Sequence, residues 1–338
     1  MFEMVLFLAV VASSFFLTWA LRRYALARSL MDIPNERSSH KIPTPRGGGV
    51  AIVVSFLLTL VYLFFNSSIS YSDFYAFIGA GALIAVIGFI DDHGHVSARW
   101  RLLGHFTAAA WLLAWFGKIP IFSIVGIQVD LGWSAYVLFA LYLVWLLNLY
   151  NFMDGIDGIA SIEGVTTCLA GVFLAVLCDL PMSVWIFPLI LSAAMMGFLI
   201  WNFPPAKIFM GDAGSGFLGL TIAGISIQMS IHANQLFWSW VILLGVFVVD
   251  ATTTLLRRVL RGEKFYEAHR SHAYQYVSRK LGAHRPVSLS VAAINLLWLL
   301  PLAWFVAKGL LDGVLGCLVA YAPLVFLAFQ FKAGTREQ

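Results

Sequence analysis

Long uninterrupted apolar runs, separated by short polar stretches, dominate the chain. A helix needs about 20 mainly apolar residues to cross a bilayer. Eleven runs approach that length and predict membrane-spanning helices at 4–21, 48–65, 74–90, 102–117, 133–150, 159–178, 183–201, 216–231, 236–256, 288–307 and 313–331. The run at 216–231 is short and glycine-rich and gives the faintest signal. Polar and apolar residues do not alternate at every second position, which argues against a transmembrane β-barrel. Between the fourth and fifth runs, Ile119 to Leu131 alternates weakly around Gly126 and predicts a small external hairpin. The first run has no basic residues before it and no small-residue cleavage site, so it reads as a retained helix rather than a leader. With no repeat, low-complexity tract or long linker, residues 1–338 read as one all-α polytopic membrane domain.

Composition agrees. Of 338 residues, 61% are hydrophobic and 11% charged, where an ordinary soluble domain carries roughly 25% charged residues. That balance excludes a soluble globular protein, a disordered chain, a collagen and a disulfide scaffold. Cys168, Cys178 and Cys317 lie within apolar runs and read as small hydrophobes, not as a disulfide framework or zinc site. Numbering the loops alternately places 19 of the 21 basic residues on one side, with only Lys118 and Lys308 opposite. The positive-inside tendency makes the rich side cytoplasmic, with the N-terminus outside and the C-terminus inside. The net charge of +4 then reflects topology and anion handling rather than nucleic-acid binding.

The polar chemistry gathers on the same side. Seven of the eight histidines, all but His232, fall in or beside these loops. Asp91 and Asp92 close the third helix; Asn148, Asn151, Asp154 and Asp157 follow the fifth in Asn148-Leu-Tyr-Asn151-Phe-Met-Asp154-Gly-Ile-Asp157-Gly158; Asp212 leads into the eighth. His269-Arg270-Ser-His272 occupies the last large loop. Each cluster has a plain alternative. Adjacent acids form solvated caps, Asn/Asp/Gly runs form turns, Asp212 is a candidate N-cap, and the histidines fit a polar loop. Gly211, Gly214 and Gly216 also leave backbone N–H groups open to an anion at a helix N-terminus. Together, five aspartates on helix ends facing one compartment would repel one another without a cation. Oxygen-only ligands favour Mg²⁺, or Mn²⁺, shared with substrate phosphates. The segment His40-Lys41-Ile-Pro43-Thr44-Pro45-Arg46-Gly47-Gly48-Gly49 is either an ordinary Pro/Gly loop or one whose Lys41 and Arg46 neutralise a lipid phosphate or diphosphate.

In this order, Lys-x-x-Thr-Pro-x-x-Gly-Gly, Asp-Asp, Asn-x-x-Asn-x-x-Asp-Gly-x-Asp-Gly, Phe-Met-Gly-Asp-x-Gly-Ser and the late His motif resemble those of the polyprenyl-phosphate N-acetylhexosamine-1-phosphate transferases. The resemblance covers nearly the whole chain. It implies transfer of a sugar 1-phosphate from a UDP-N-acetylhexosamine to a membrane-embedded acceptor, undecaprenyl phosphate in bacteria. UMP is released, Mg²⁺ is required, and the enzyme is a dimer in the bacterial inner membrane. By position, Asp212 resembles the principal metal ligand and Asp91 a general base or nucleophile on the lipid phosphate. Asp92 supports Asp91 and the metal. Asp154 and Asp157 match the Asp-Gly-x-Asp-Gly pair, the second near uracil. Asn151 helps set the metal and diphosphate site beside Asn148, Phe209 matches an aromatic stacked on uracil, and Lys41, with Arg46, a basic group near the phosphates. His269, Arg270 and His272 match the loop that recognises the donor, with His272 among the catalytic candidates.

The departures bear on the donor. Tyr274 and Gln275 stand where the enterobacterial common antigen type has a further His pair, and the three consecutive histidines of the peptidoglycan translocase are missing. His-Arg-Ser-His-Ala-Tyr-Gln is similar to initiators of Gram-negative O-antigen that use UDP-N-acetylfucosamine or UDP-N-acetylquinovosamine. A UDP-GlcNAc-specific initiator of another envelope glycan is the alternative. Asp250 and Glu163 are further acids within apolar runs, where a functional role and a plain polar pairing are both open. An ion-coupled transporter fits less well, because its acids belong near the bilayer midplane. The compact Asp-rich signature of the CDP-alcohol phosphotransferases is missing.

Overall fold

The computed structural model describes residues 1–34, 40, 42–94, 96–124, 126–263 and 269–336. Each predicted run becomes helical: α1 (Phe2–Ala27), α2 (Val50–Phe65), α3 (Tyr71–His93), α4 (Ala98–Phe116), α5 (Ser134–Met153), α6 (Ile159–Leu177), α7 (Met182–Asn202), α8 (Asp212–His232), α9 (Gln235–Leu243) with α10 (Gly245–Leu260), a rod made of α12 (Arg285–Ile294), a π segment (Asn295–Leu299) and α13 (Leu300–Ala307), and α14 (Gly313–Gln330). A short α11 (Ala273–Leu281) lies in the last large loop. Among the described residues, eight helices are long and apolar enough to cross a membrane, nine if α9 and α10 count as one span. The molecule is thus a multi-span membrane protein. The 16 residues of α2 reach about 24 Å, short of the hydrocarbon core, and α4 opens on Arg99 and Arg101. The predicted hairpin is present: β3 (Phe122–Ile124) pairs antiparallel with β4 (Ile127–Val129), with Ile124 opposite Ile127.

Two elements depart from expectation. The ninth run is not one rod, because α9 and α10 meet at 70°. Asp250, Thr252, Thr253, Thr254, Arg257 and Arg258 make α10 the more polar of the two. The run with the faintest signal is the central helix. Every residue of α8 from Ala213 to Ser230 is buried, and it packs against α3 and α5. Its low hydrophobicity follows from that position, since membrane interfaces are built from Gly, Ala and Ser that let backbones approach. At Gly219 a Cβ would lie 2.4 Å from the Leu146 carbonyl oxygen on α5.

Short strands and loops tie the site end of the bundle together. β1 (Met31–Asp32) pairs with β2 (Thr44–Pro45), bringing Asp32 opposite Thr44. The segment after β2 then binds the loop before α8 by backbone hydrogen bonds: Phe209 N–H donates to the Pro45 carbonyl at 2.8 Å, and Gly48 and Gly49 N–H donate to the Phe209 and Met210 carbonyls at 2.9 and 2.8 Å. This requires glycine, because a Cβ on Gly49 would lie 2.5 Å from the Gly214 Cα. Gly49→Val is expected to destabilise the protein by about 2 kcal/mol through overpacking, read as a lowered Tm in detergent; an unchanged Tm would contradict the close approach.

Candidate active site

The ends of α3, α5 and α8 meet through the side chains that the sequence singled out. Asp92, on the last turn of α3, accepts hydrogen bonds from Asp212 N–H (3.0 Å) and Ala213 N–H (3.2 Å) and pairs with Arg46. Its carboxylate therefore sits on the positive end of the α8 dipole. The glycine-rich entry to α8 does meet an anion, and that anion is the protein's own Asp92. Asp91 accepts from Val96 N–H at 2.9 Å and from Arg101 Nη1 at 2.6 Å. Arg101 also lies 3.9 Å from Asp212 Oδ2, bridging the two acids. Asn151, at the end of α5, donates from Nδ2 to Asp212 Oδ1 (3.0 Å) and Ser215 Oγ (3.1 Å).

Asp212 lies where two cavities meet. A polar pocket of about 280 Å³ is lined by Arg46, Asn151, Asp154, Asp157, Phe209 and Asp212, and also by Asp32, His40, Asn202, Gln275 and His284. A mainly apolar groove of about 500 Å³ between α3, α4, α5 and α8 ends on Asp91, Arg101, Asn148, Asn151 and Asp212. Asn148 thus faces the groove, with Nδ2 donating to the Val144 carbonyl at 2.7 Å. Phe209 meets the His40 ring edge-on at 4.8 Å. Asp157 accepts from Ala206 N–H at 3.0 Å, and its Oδ1 lies 3.1 Å from His284 Nδ1. Burial, followed by the charges of Asp212, Asp157 and Asp92, raises the Asp154 carboxyl to about 7. Lys41 lies outside the described residues.

The late His motif is divided from the pocket. His272, 2% exposed, is the N-cap of α11, with Gln275 Oε1 accepting its backbone N–H at 3.3 Å. Asp250 holds this end: its oxygens accept from Ala273 and Tyr274 N–H at 3.0 Å each and lie 3.2 Å from His272 Nδ1. His269 packs on the His272 ring at 5.0 Å; burial, then His272 and Arg258, push its imidazole down to about 3. Arg270 faces a separate basic cleft. From this loop Gln275 reaches the pocket, and His284 joins it from the turn after α11. Arg101 and His284 were missed as site residues because each is a single polar residue in a basic stretch, with no spacing to mark it, whereas Gln275 stood out only as a departure in the donor loop. Asp250→Ala would unpin α11 and leave several donors without an acceptor. It is expected to lower stability by about 3 kcal/mol, read as a Tm loss that Asp250→Asn only partly restores; a wild-type Tm would refute the anchoring.

The chain matches a known family. Residues 74–230 match the family model described as glycosyl transferase family 4. The chain is 30% identical over 304 residues, 87% of its length and 81% of the relative's, to a probable undecaprenyl-phosphate N-acetylglucosaminyl 1-phosphate transferase of Bacillus subtilis. The chain belongs to glycosyl transferase family 4. Further relatives of this family 4 chain are a decaprenyl-phosphate N-acetylglucosaminephosphotransferase of Mycobacterium tuberculosis (29% identical, covering 82% of this chain and 76% of the relative) and a phospho-N-acetylmuramoyl-pentapeptide-transferase of Bacillus pumilus (28%, covering 74% and 79%). The names of these relatives describe sugar phosphate transferases, and the first two act on a polyprenyl phosphate.

Among the described residues of this family 4 site, no three His, Cys, Asp or Glu side chains converge to hold a metal alone. The donor set nevertheless fits Mg²⁺, which typically takes one or two carboxylates and completes its shell with water and substrate phosphates. The repulsion among these carboxylates, which adds to burial in raising Asp154, would be relieved by a divalent cation. Asp212, which borders both cavities, is the acid best placed for this role, with Asn151 bonded to it. Asp92 is engaged by Arg46 and the α8 backbone.

Proposed function

We propose that this protein transfers an N-acetylhexosamine 1-phosphate from a UDP-sugar to undecaprenyl phosphate at the cytoplasmic face of a bacterial inner membrane. The single observation that carries the reading is Asp212, shared between a polar pocket and an apolar groove. One cavity suits a nucleotide diphosphate sugar and the other a prenyl chain whose phosphate ends beside Arg101. An oxygen of the acceptor phosphate attacks the sugar-bearing phosphorus of the donor. A new phosphoanhydride forms, the anhydride bond to the nucleotide breaks, and UMP leaves with that bridging oxygen.

Arg101 orients the acceptor phosphate, and Asp91, fixed by Arg101 and Val96 N–H, accepts any proton that phosphate still carries. Arg46 faces the donor diphosphate, Phe209 stacks on the base, and Asp154 and Asp157 bound its pocket. Asp212 and Asn151 would hold Mg²⁺, which supplies charge neutralisation at the transferring phosphoryl group. The reaction requires Mg²⁺, and the chain crosses the membrane eleven times with its N-terminus outside. The topology is supported by the 19 basic residues on one side. Gln275 lines the pocket where the resemblance implies an imidazole in the enterobacterial common antigen type, and this favours a 6-deoxy donor such as UDP-N-acetylfucosamine or UDP-N-acetylquinovosamine over UDP-GlcNAc. The product would initiate an envelope glycan of the O-antigen kind.

Purified protein in detergent, given undecaprenyl phosphate, Mg²⁺ and a panel of UDP-N-acetylhexosamines, is expected to release UMP. No UMP with any donor would overturn the reaction. Turnover with UDP-GlcNAc well above the 6-deoxy donors would overturn the donor preference alone.

A further inference from the structure

We propose that the cleft between α10, α11 and the C-terminal end of α14 is a second anion site, which seats the phosphate of an anionic phospholipid. The cleft has a volume of about 630 Å³ and is lined by Arg257, Arg270, Arg279, Lys332 and Arg336, of which Arg336 is paired with Glu263 at 3.2 Å. None of these cations lines the polar pocket or the apolar groove.

The cations are held in place. Arg257 Nη1 donates to the Ala333 carbonyl at 2.7 Å, and its guanidinium lies 4.9 Å from the Phe329 ring. The Lys332 ammonium lies 5.5 Å from the Tyr276 ring, and Arg279 Nη1 donates to the Arg270 carbonyl at 3.2 Å. The chain after α14 is fastened over the same loop, with Gly334 N–H donating to the Ser271 carbonyl at 2.7 Å. A cleft lined by side chains of one charge sign focuses its field on an entering anion.

The setting points to a lipid as the source of the phosphate. The cleft opens at the end of a membrane-spanning helix, α14, on the side that carries most of the basic residues, where headgroups lie within reach. An anionic leaflet attracts such a cluster by about a kilocalorie for each basic side chain near it. The cleft also adjoins the active site through α11, which lines it with Tyr276 and Arg279 and presents Gln275 to the polar pocket. A seated headgroup therefore steadies the helix that shapes the donor site.

The test does not depend on the reaction. Protein in detergent is supplied with phosphatidylglycerol, phosphatidylcholine or inorganic phosphate; bound lipid is counted by native mass spectrometry and α11 amides are followed by hydrogen exchange. Phosphatidylglycerol is expected to be retained in preference to phosphatidylcholine and to slow exchange in α11. The double variant Arg279→Gln/Lys332→Gln should lose retention by roughly fivefold per charge removed, whereas Arg279→Lys/Lys332→Arg keeps it. Equal retention of phosphatidylglycerol by the wild type and the Gln variant, or of the two lipids by the wild type, overturns the site. Slowed exchange with inorganic phosphate, with no further effect of phosphatidylglycerol, overturns the lipid assignment.

Discussion

Asp212→Asn is expected to reduce UMP release by about a thousandfold, equivalent to ~4 kcal/mol of transition-state stabilisation, while leaving the fold intact. The side chain borders both cavities, whereas its backbone N–H, which the substitution keeps, makes the contact to Asp92. The carboxamide is nearly isosteric but carries no charge, so the change removes what a divalent cation needs and little else. The protein should elute as the wild type does on size exclusion and unfold within a degree or two of it in EDTA. Turnover near the wild-type rate would remove Asp212 from the centre of the chemistry.

Asp92→Ala should fail in a different way. The substitution strips α8 of its capping anion and leaves Arg46 facing a polar site without its partner. Loss of a cap costs about 1 kcal/mol, and breaking a largely buried ion pair adds more, discounted here because the Arg46 side chain is 36% exposed. A loss of about 2 kcal/mol is expected, visible as a lowered Tm in EDTA, where no cation contributes. The concentration of Mg²⁺ giving half-maximal activity should change little in the surviving folded protein. An unchanged Tm with a strongly raised Mg²⁺ requirement would instead make Asp92 a ligand. The pair of variants thus separates two neighbouring aspartates, one acting on the reaction and one on the architecture beneath it.

The helices and most of the site were legible because both rest on local rules. Apolar runs of membrane length announce helices whatever surrounds them, and a loop that concentrates aspartate, asparagine and glycine between two such runs has few purely structural uses. Asp91, Asn151, Asp154, Asp157 and Asp212 were marked by such clusters at helix ends and Phe209 by the family resemblance, and the structure brings them to the same end of the bundle. The failures have an equally physical origin. Arg101 is one basic residue among many until α4 packs beside α3 and turns it toward Asp91. His272 carries the residue type of a catalytic group, but a buried imidazole beside Asp250 serves the helix end it caps. Asp250, an unexplained acid within an apolar run, proves to be the anchor of α11.

By itself, the sequence determined which runs become helical, the multi-span membrane class and the carboxylates gathered at the helix ends. Each follows from the cost of placing polar groups in hydrocarbon, which acts on every segment separately. Only the tertiary structure decided which of those polar groups meet. It put α8, the least hydrophobic run, at the centre; it bent the ninth run into α9 and α10; and it set Asp212 between a polar pocket and an apolar groove while turning Asp92 onto the backbone. Those outcomes depend on close approach at Gly49 and Gly219 and on pairings across 40 to 130 residues of chain, contacts that no local pattern specifies.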